Sequence, residues 1–332
     1  GLFLGILFGA LLALIRDRND YVYHKVNDVK NDLKLPHLAH IPYVKAFENI
    51  KENKSELLSR VLDDNQVDSS KDDKYQRFFY QEAFRNFYTS IRFLNGDKLI
   101  KSVSITSSIP SEGKSLINII LSKTLSDIGE RVLLIDADLR KPQIHKRLGI
   151  NNFKGLSNLL TDPSLKFNDV IQTVDGFKSW SVITSGIKPP DPTRLFSSKR
   201  MKEINSAIVD SNQFDIIIYD VPPILGLADS ALLSENTDGM ILVVGLDKVD
   251  RTLPRESVNR INESGCTLLG VVTNSLKYDK NNSGYGDGYA SAYASYVDLD
   301  EEGSTELNNE EDLLSIKFIK NNKILMSLIT VI

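Results

Sequence analysis

Residues 101–117 read KSVSITSSIPSEGKSLI, and the fold is decided by what surrounds the Gly113-Lys114-Ser115 triplet. A β-branched run, KSVSITSS (101–108), leads into a short turn, and an apolar, helix-length stretch follows over about 114–128. A strand that turns through glycine into a helix leaves backbone N–H groups at the helix N-terminus, where phosphate oxygens bind. The triplet is therefore the end of a Walker A loop: the amides cradle phosphate, Lys114 neutralises β/γ charge and Ser115 offers its hydroxyl to Mg²⁺. Pro110, Ser111 and Glu112 complete the loop. The first glycine of GxxxxGK[ST] is replaced by Ser108, and Ser111 stands where a glycine is more usual before the acidic residue. If position 111 needs a positive φ, serine there costs about 1 kcal/mol.

Two further strand ends carry acids. RVLLIDADLRK (131–141) puts Asp136 and Asp138 after an apolar run, with Arg140 and Lys141 just beyond, and FDIIIYDVPP (214–223) puts Asp220 at the end of another. A carboxylate ending a buried strand is awkward for a core but natural beside Mg²⁺, whose ligands are hard oxygens. Helix capping explains any one of these aspartates; all three together with the Gly113 triplet indicate a nucleotide site.

Working outward, further strands are expected at 180–186, 239–245 and 267–274, with helices at about 198–211, 227–236 and 254–264. The runs IIIYDV and MILVVG lack alternation, as strands covered on both faces do. Strand and helix in series imply an α/β fold with a mainly parallel sheet flanked by helices, and ligands at the carboxyl ends of the strands.

The 332 residues are 41% hydrophobic and 25% charged, with a net charge of -4, which argues against a nucleic-acid binder. One cysteine, Cys266, and four histidines leave no basis for a disulfide framework or a Cys- or His-rich metal cluster. The apolar run at 1–15 would be about 22 Å long as a helix. It is expected to be the last part of a transmembrane helix, with a buried helix of a soluble protein as the alternative. The small residues Gly1, Gly5, Gly9 and Ala13 form a stripe suited to membrane helix packing, and Arg16, Arg18, Lys25 and Lys30 then place the remainder of the chain in the cytoplasm. Residues 16–75 read as a juxtamembrane linker with helix at 45–62 and an apolar island, LPHLAHIPYV. Beyond the α/β domain at 76–275 lie a tyrosine-rich tail at 276–300 and an acidic, then apolar, segment at 301–332 of unassigned role.

The tail reads NNSGYGDGYASAYASYVDLD, with Tyr285, Tyr289, Tyr293 and Tyr296 at near-helical spacing but Gly284, Gly286 and Gly288 opposing a helix in its first half. Composition alone fits a disordered low-complexity tail. Beside an ATP site, a flexible segment can also deliver phenols to a neighbouring subunit's γ-phosphate.

These motifs together resemble the bacterial tyrosine kinases fused to polysaccharide chain-length regulators. IPSEGKS is similar to that family's Walker A, VLLIDADLRKP to its second Walker A-type motif and IIIYDVPP to its Walker B. GIKPPDPTRLFSS is similar to its proline-containing segment, LPHLAHIPYV to its juxtamembrane stretch, and the tyrosine tail to its autophosphorylation cluster. EAFRNFYTSIRF resembles the helix with the oligomerisation signature Glu-x-x-Arg-x-x-Arg: Glu82 and Arg85 match, Tyr88 replaces the second arginine, and Arg92 shares the helical face. Ile109 stands where the related septum-site and partition ATPases carry an extra lysine, so their dimer-linked hydrolysis is not expected.

The resemblance implies a P-loop tyrosine autokinase at the bacterial inner membrane that uses ATP and Mg²⁺. Its implied partners are copies of itself, polysaccharide export and polymerisation machinery, and a tyrosine phosphatase. Lys114 and the loop amides are expected on the β/γ-phosphates, and Ser115, Asp136 and Asp220 around Mg²⁺. Asp138 or Asp136 is expected to accept the tyrosine proton, Arg140 to steady phosphate charge, and Asn274 either to touch the base or to form a turn. Phosphorylating the tail adds about 1.5 to 2 negative charges per tyrosine, which is expected to loosen the assembly. A plain ATPase switch and a non-catalytic scaffold are the alternatives.

Overall fold

Three neighbouring strands of one parallel sheet end in the three motifs, and this adjacency builds the site. The computed structural model describes residues 21–44, 71–94 and 99–276, together with positions 1 and 5. The apolar opening run, the helix expected at 45–62, the tyrosine cluster and the closing segment lie outside the described residues. The chain divides into two compact units, Gly1–Gly284 and Tyr285–Ile332, and only the first is described.

In chain order the elements are α1 (Val26–Leu33), β1 (His37–Ile41), α2 (Lys71–Phe93), β2 (Ser102–Ser107), α3 (Lys114–Asp127) and β3 (Val132–Asp136). They continue with α4 (Ile144–Leu148), α5 (Leu156–Thr161), β4 (Gln172–Thr173), β5 (Trp180–Ile183), α6 (Pro192–Phe196) and α7 (Lys199–Asp210). The last are β6 (Ile216–Asp220), α8 (Asp229–Ser234), β7 (Gly239–Leu246), α9 (Thr252–Glu263) and β8 (Leu268–Ser275). The sheet has eight strands in the order β1-β8-β7-β2-β6-β3-β5-β4, and only the β4–β5 pair is antiparallel.

Strands β3, β6 and β7 lack polar alternation because each face is covered. Val132 and Leu134 of β3 enter one core, where Phe84, Phe87 and Ile91 of α2 and Ile117 and Leu121 of α3 meet them. Leu133 and Ile135 enter the other, with Leu156, Leu159, Phe196, Met201 and Ile204 from α5, α6 and α7. Each such side chain removed from water contributes about 2 kcal/mol.

The resemblance to an oligomerisation helix falls on α2. Its buried stripe is Tyr80, Ala83, Phe84, Phe87, Tyr88 and Ile91, the spacing of one helical face. Tyr88, at the position of the missing second arginine, thus faces the core and donates its hydroxyl to Glu130 at 2.5 Å. Arg92 turns onto that pair, 3.0 Å from the Tyr88 oxygen and 3.3 Å from Glu130, while the exposed Arg85 pairs with Glu82 at 2.5 Å.

Part of the 16–75 stretch that the sequence reads as a linker packs onto the sheet. Tyr23 and Val29 are buried against Leu242, Val244, Leu246 and Val271. The Tyr23 hydroxyl donates to Asp32, which Arg255 of α9 also grips at 2.8 and 2.9 Å. The island LPHLAHIPYV supplies β1, which pairs parallel with β8 as an edge strand. Five residues with two histidines give a weak strand signal; the pairing comes from a partner far along the chain.

Candidate active site

The turn between β2 and α3 is held from three sides. Glu112 is wholly buried and turns away from the cleft; its two carboxylate oxygens accept from the Ile109 amide at 2.8 Å and the Gly245 amide at 2.9 Å. Burial outweighs those two donors and raises its pKa to about 7. Asn274, near the end of β8, donates to the Glu112 carbonyl at 2.9 Å, and Lys248 donates to the Ser111 carbonyl at 2.7 Å. Ser111 does adopt a positive φ, +69°, and Gly113 has +93°. A Cβ on Gly113 would lie 2.2 Å from Asn274 Nδ2, so both the backbone angle and the space demand glycine.

These contacts give Glu112 and Asn274 a role that the sequence did not suggest. Glu112 and Asn274 do not line the cleft: they are the staples that shape the loop. Asn274, within β8, contacts the loop backbone through the Glu112 carbonyl. Pro110, Ser111, Gly113, Lys114 and Ser115 do line it, in a cleft of about 400 Å³ with Asp138, Arg140, Lys141, Arg147 and Leu276 among the other walls.

Lys114 stands at the centre. Its ammonium lies 3.2 Å from Asp138, 3.1 Å from Asp220 and 3.3 Å from the Ser115 hydroxyl. Burial alone would lower the lysine pKa, but Asp220 and Asp138 more than reverse this and hold it above the ordinary value. Asp220 also accepts from Asn118 of α3 at 2.8 Å. Asp136 accepts from the Ile144 amide at 3.0 Å; burial, with the Asp220 charge beside it, pushes its pKa well above the carboxylate range. Asp138 accepts from the Lys141 amide at 3.0 Å and faces the cleft, whereas Asp136 is fully enclosed beneath it.

The residues fit a magnesium-bound triphosphate. Asp136 Oδ1, Asp220 Oδ2 and Ser108 Oγ are buried without a hydrogen-bond partner, an arrangement that ordered water or an ion commonly resolves. Among the described residues no group of three or more His, Cys, Asp or Glu is disposed to hold a metal alone. Phosphate oxygens and waters would therefore complete the shell of a Mg²⁺ bound here, as is usual for that ion.

Arg140 lines the cleft, but its guanidinium is engaged with the buried Asp229 at 2.5 and 3.1 Å and with Thr193 at 3.0 Å. Thr193 belongs to the proline-containing segment, which is thereby tied to the cleft wall. Sequence reasoning missed Asn118, Lys248 and Asp229. Asn118 alone carried a signal, as a polar residue one helical turn after Lys114.

A family model described as an AAA domain matches residues 101–250. The tyrosine-protein kinase YwqD of Bacillus subtilis (strain 168) is 38% identical over 207 residues, covering 62% of this chain and 84% of that protein. The putative tyrosine-protein kinase CapB of Staphylococcus aureus is 30% identical over 204 residues, covering 61% and 88%. Among solved structures, the kinase domain of the Escherichia coli tyrosine kinase ETK aligns with a TM-score of 0.64 and 26% identity, over 75% of this chain and 94% of that one. With a lysine-bearing loop facing the acidic ends of two strands on a P-loop α/β sheet, and with relatives matched over most of their own length, the chain belongs to the bacterial tyrosine-protein kinases.

Proposed function

We propose that residues 76–275 transfer the γ-phosphoryl group of ATP to tyrosines of the tail, Tyr285, Tyr289, Tyr293 and Tyr296, on another copy of this chain. The observation that carries this reading is Lys114 bridging Asp138 and Asp220 at the mouth of the loop. On nucleotide arrival Lys114 exchanges the two carboxylates for β/γ-phosphate oxygens, and the loop amides take the rest of that charge. Ser115 and Asp220, with Asp136 behind them, would hold Mg²⁺, which would supply charge neutralisation on the phosphates. The tyrosine oxygen bonds to the γ-phosphorus as the bond to the β–γ bridging oxygen breaks; the phenolic proton passes to Asp138, and ADP leaves. Asp138 is preferred to Asp136 as the acceptor because it alone of the two faces the cleft. Arg140 contributes by fixing the wall through Asp229.

The wider reading keeps the membrane and the polymer. Residues 1–15 form the end of a membrane helix in the bacterial inner membrane, 16–75 connect it to the domain while contributing Tyr23, Val29 and β1 to its packing, and 276–300 form the substrate tail. Copies associate through the face of α2 that carries Glu82, Arg85 and Arg92. Among the described residues no helix is long and apolar enough to cross a membrane. Tail phosphorylation separates the copies, a tyrosine phosphatase restores them, and the cycle regulates export and chain length of an exopolysaccharide or capsular polysaccharide.

Incubating the protein with labelled ATP and Mg²⁺, beside Lys114→Met and Asp138→Asn controls, tests this. Label on the 285–296 peptide in the parent alone supports the reading. Free phosphate without phosphotyrosine supports an ATPase switch, and absence of nucleotide binding supports a scaffold.

A further inference from the structure

Four basic side chains line the cleft: Lys114, Arg140, Lys141 and Arg147. Two are neutralised in place, Lys114 by Asp138 and Asp220 and Arg140 by Asp229. Lys141 and Arg147 have no carboxylate partner among the described residues. Lys141 is exposed, and its backbone amide holds Asp138, so its side chain leaves from the turn that positions the proposed proton acceptor. Arg147 lies on α4, which begins three residues later. It is partly buried, yet its Nε is shut from water without any hydrogen-bond partner, so packing rather than an ion pair holds the side chain on the cleft wall.

Two unneutralised cations beside the acceptor position make a site for an anion. The triphosphate already has Lys114, the loop amides and Mg²⁺. The acceptor's own chemistry supplies the alternative. Tyr285 is followed two residues on by Asp287, and Tyr296 by Asp298, with Asp300, Glu301 and Glu302 beyond. Tyr289 and Tyr293 have serines, Ser291 and Ser295, at the same offset. Side chains two apart on an extended segment point the same way. A tyrosine presented over Asp138 in that conformation therefore sends its +2 side chain toward the same wall.

We propose that Lys141 and Arg147 form an acceptor-specificity subsite that binds a carboxylate two residues after the target tyrosine, so that Tyr285 and Tyr296 are used before Tyr289 and Tyr293. The guanidinium of Arg147 offers the paired donors that a carboxylate takes. The inference rests on the kinase reading above.

The test uses the full chain as enzyme and two peptides as acceptors: residues 291–302, SAYASYVDLDEE, and the same peptide with its Asp and Glu replaced by Asn and Gln. The parent enzyme is expected to show about a tenfold higher kcat/KM for the acidic peptide, carried mainly by KM, the worth of one charge-assisted contact. Arg147→Gln with Lys141→Gln should erase that preference, bringing kcat/KM on the acidic peptide down to the value the same variant shows on the neutral one, since the neutral peptide presents no carboxylate to the pair. Arg147→Glu with Lys141→Glu should then favour a peptide carrying lysines at the acidic positions. Equal use of both peptides by the parent, or a preference that survives in the Gln variant, would overturn the proposal. Fluorescence anisotropy of the labelled peptides separates this from the kinase reading. Selective binding of the acidic peptide without phosphotyrosine keeps the subsite and sinks the kinase; phosphotyrosine without selectivity does the reverse.

Discussion

Asp136 and Asp220 are direct partners across the β3–β6 ladder, and each keeps one carboxylate oxygen without a hydrogen bond. Like charges so placed in a buried sheet repel, and the nearest compensating cation is Lys114, bonded to Asp220. The loop lysine is thus a structural counter-ion as well as the proposed phosphate ligand.

Lys114→Met is accordingly expected to destabilise the nucleotide-free protein by about 3 to 5 kcal/mol at neutral pH, as loss of one member of a buried charge cluster does. The sign with pH follows from Asp136. Its folded pKa lies above its unfolded value, and removing the lysine raises it further. The variant's deficit should therefore shrink as pH falls and the carboxylates take up protons. Urea denaturation of both proteins at pH 5 and 8 checks this; a deficit independent of pH would assign the loss to packing.

Glu112 makes a separate contribution of the same sign. Its folded pKa of about 7 lies above the ordinary 4.5, so the native state holds an extra proton between those values. Stability falls as pH rises through that window, by about 3 kcal/mol in all. Glu112→Gln should flatten that part of the thermal-melting profile between pH 5 and 7.5, although its amide can accept from only one of the two backbone donors. An unchanged slope would mean that the carboxyl is not the titrating group.

Ser111→Gly relieves the left-handed angle and should stabilise the protein by about 1 kcal/mol. Gly113→Ala goes the opposite way: it meets the same backbone cost and drives a methyl into Asn274. Loss of ATP binding in the alanine variant with retention in the glycine variant, read by calorimetry, is the expected pair of results.

Asn274→Ala removes the brace on the Glu112 carbonyl. A buried hydrogen bond of this kind is worth about 1 kcal/mol, so ATP affinity should fall severalfold and GTP affinity by the same factor. A loss confined to ATP would restore the idea that Asn274 reads the base.

Arg85→Glu tests the exposed face of α2. The Glu82–Arg85 pair is solvent-exposed and contributes about 0.5 kcal/mol or less to stability. The melting temperature should barely move while light scattering reports a shift from oligomer to monomer. An unchanged mass would take self-association away from this face.

The central strands and the acids at their ends were legible because a continuous apolar run that stops at an aspartate suits a buried strand delivering charge to a ligand and little else. The same reading marked position 111 as one where a positive φ would cost serine, and Ser111 adopts +69°. What could not be read depends on distant partners. Gly245 and Asn274 converge on Glu112 from two strands more than 130 residues away, and neither leaves a local signature. Tyr88 is similar: replacement of an arginine makes sense only once Glu130 is seen beneath it. His37 and His40 of β1 read as loop residues until Thr273 of β8 meets both rings at 3.0 Å.

That last pairing governs how the domain is made. Among the described residues β1 is the first strand of the sheet to leave the ribosome, and β8, its one neighbour there, is the last. That sheet edge stays open until residue 275 has been synthesised, which gives this protein slow, non-local closure and a period of exposure to aggregation. A chain that terminates before residue 268 leaves both β1 and β7 with bare edges, so premature stops here should produce insoluble product rather than a smaller working kinase.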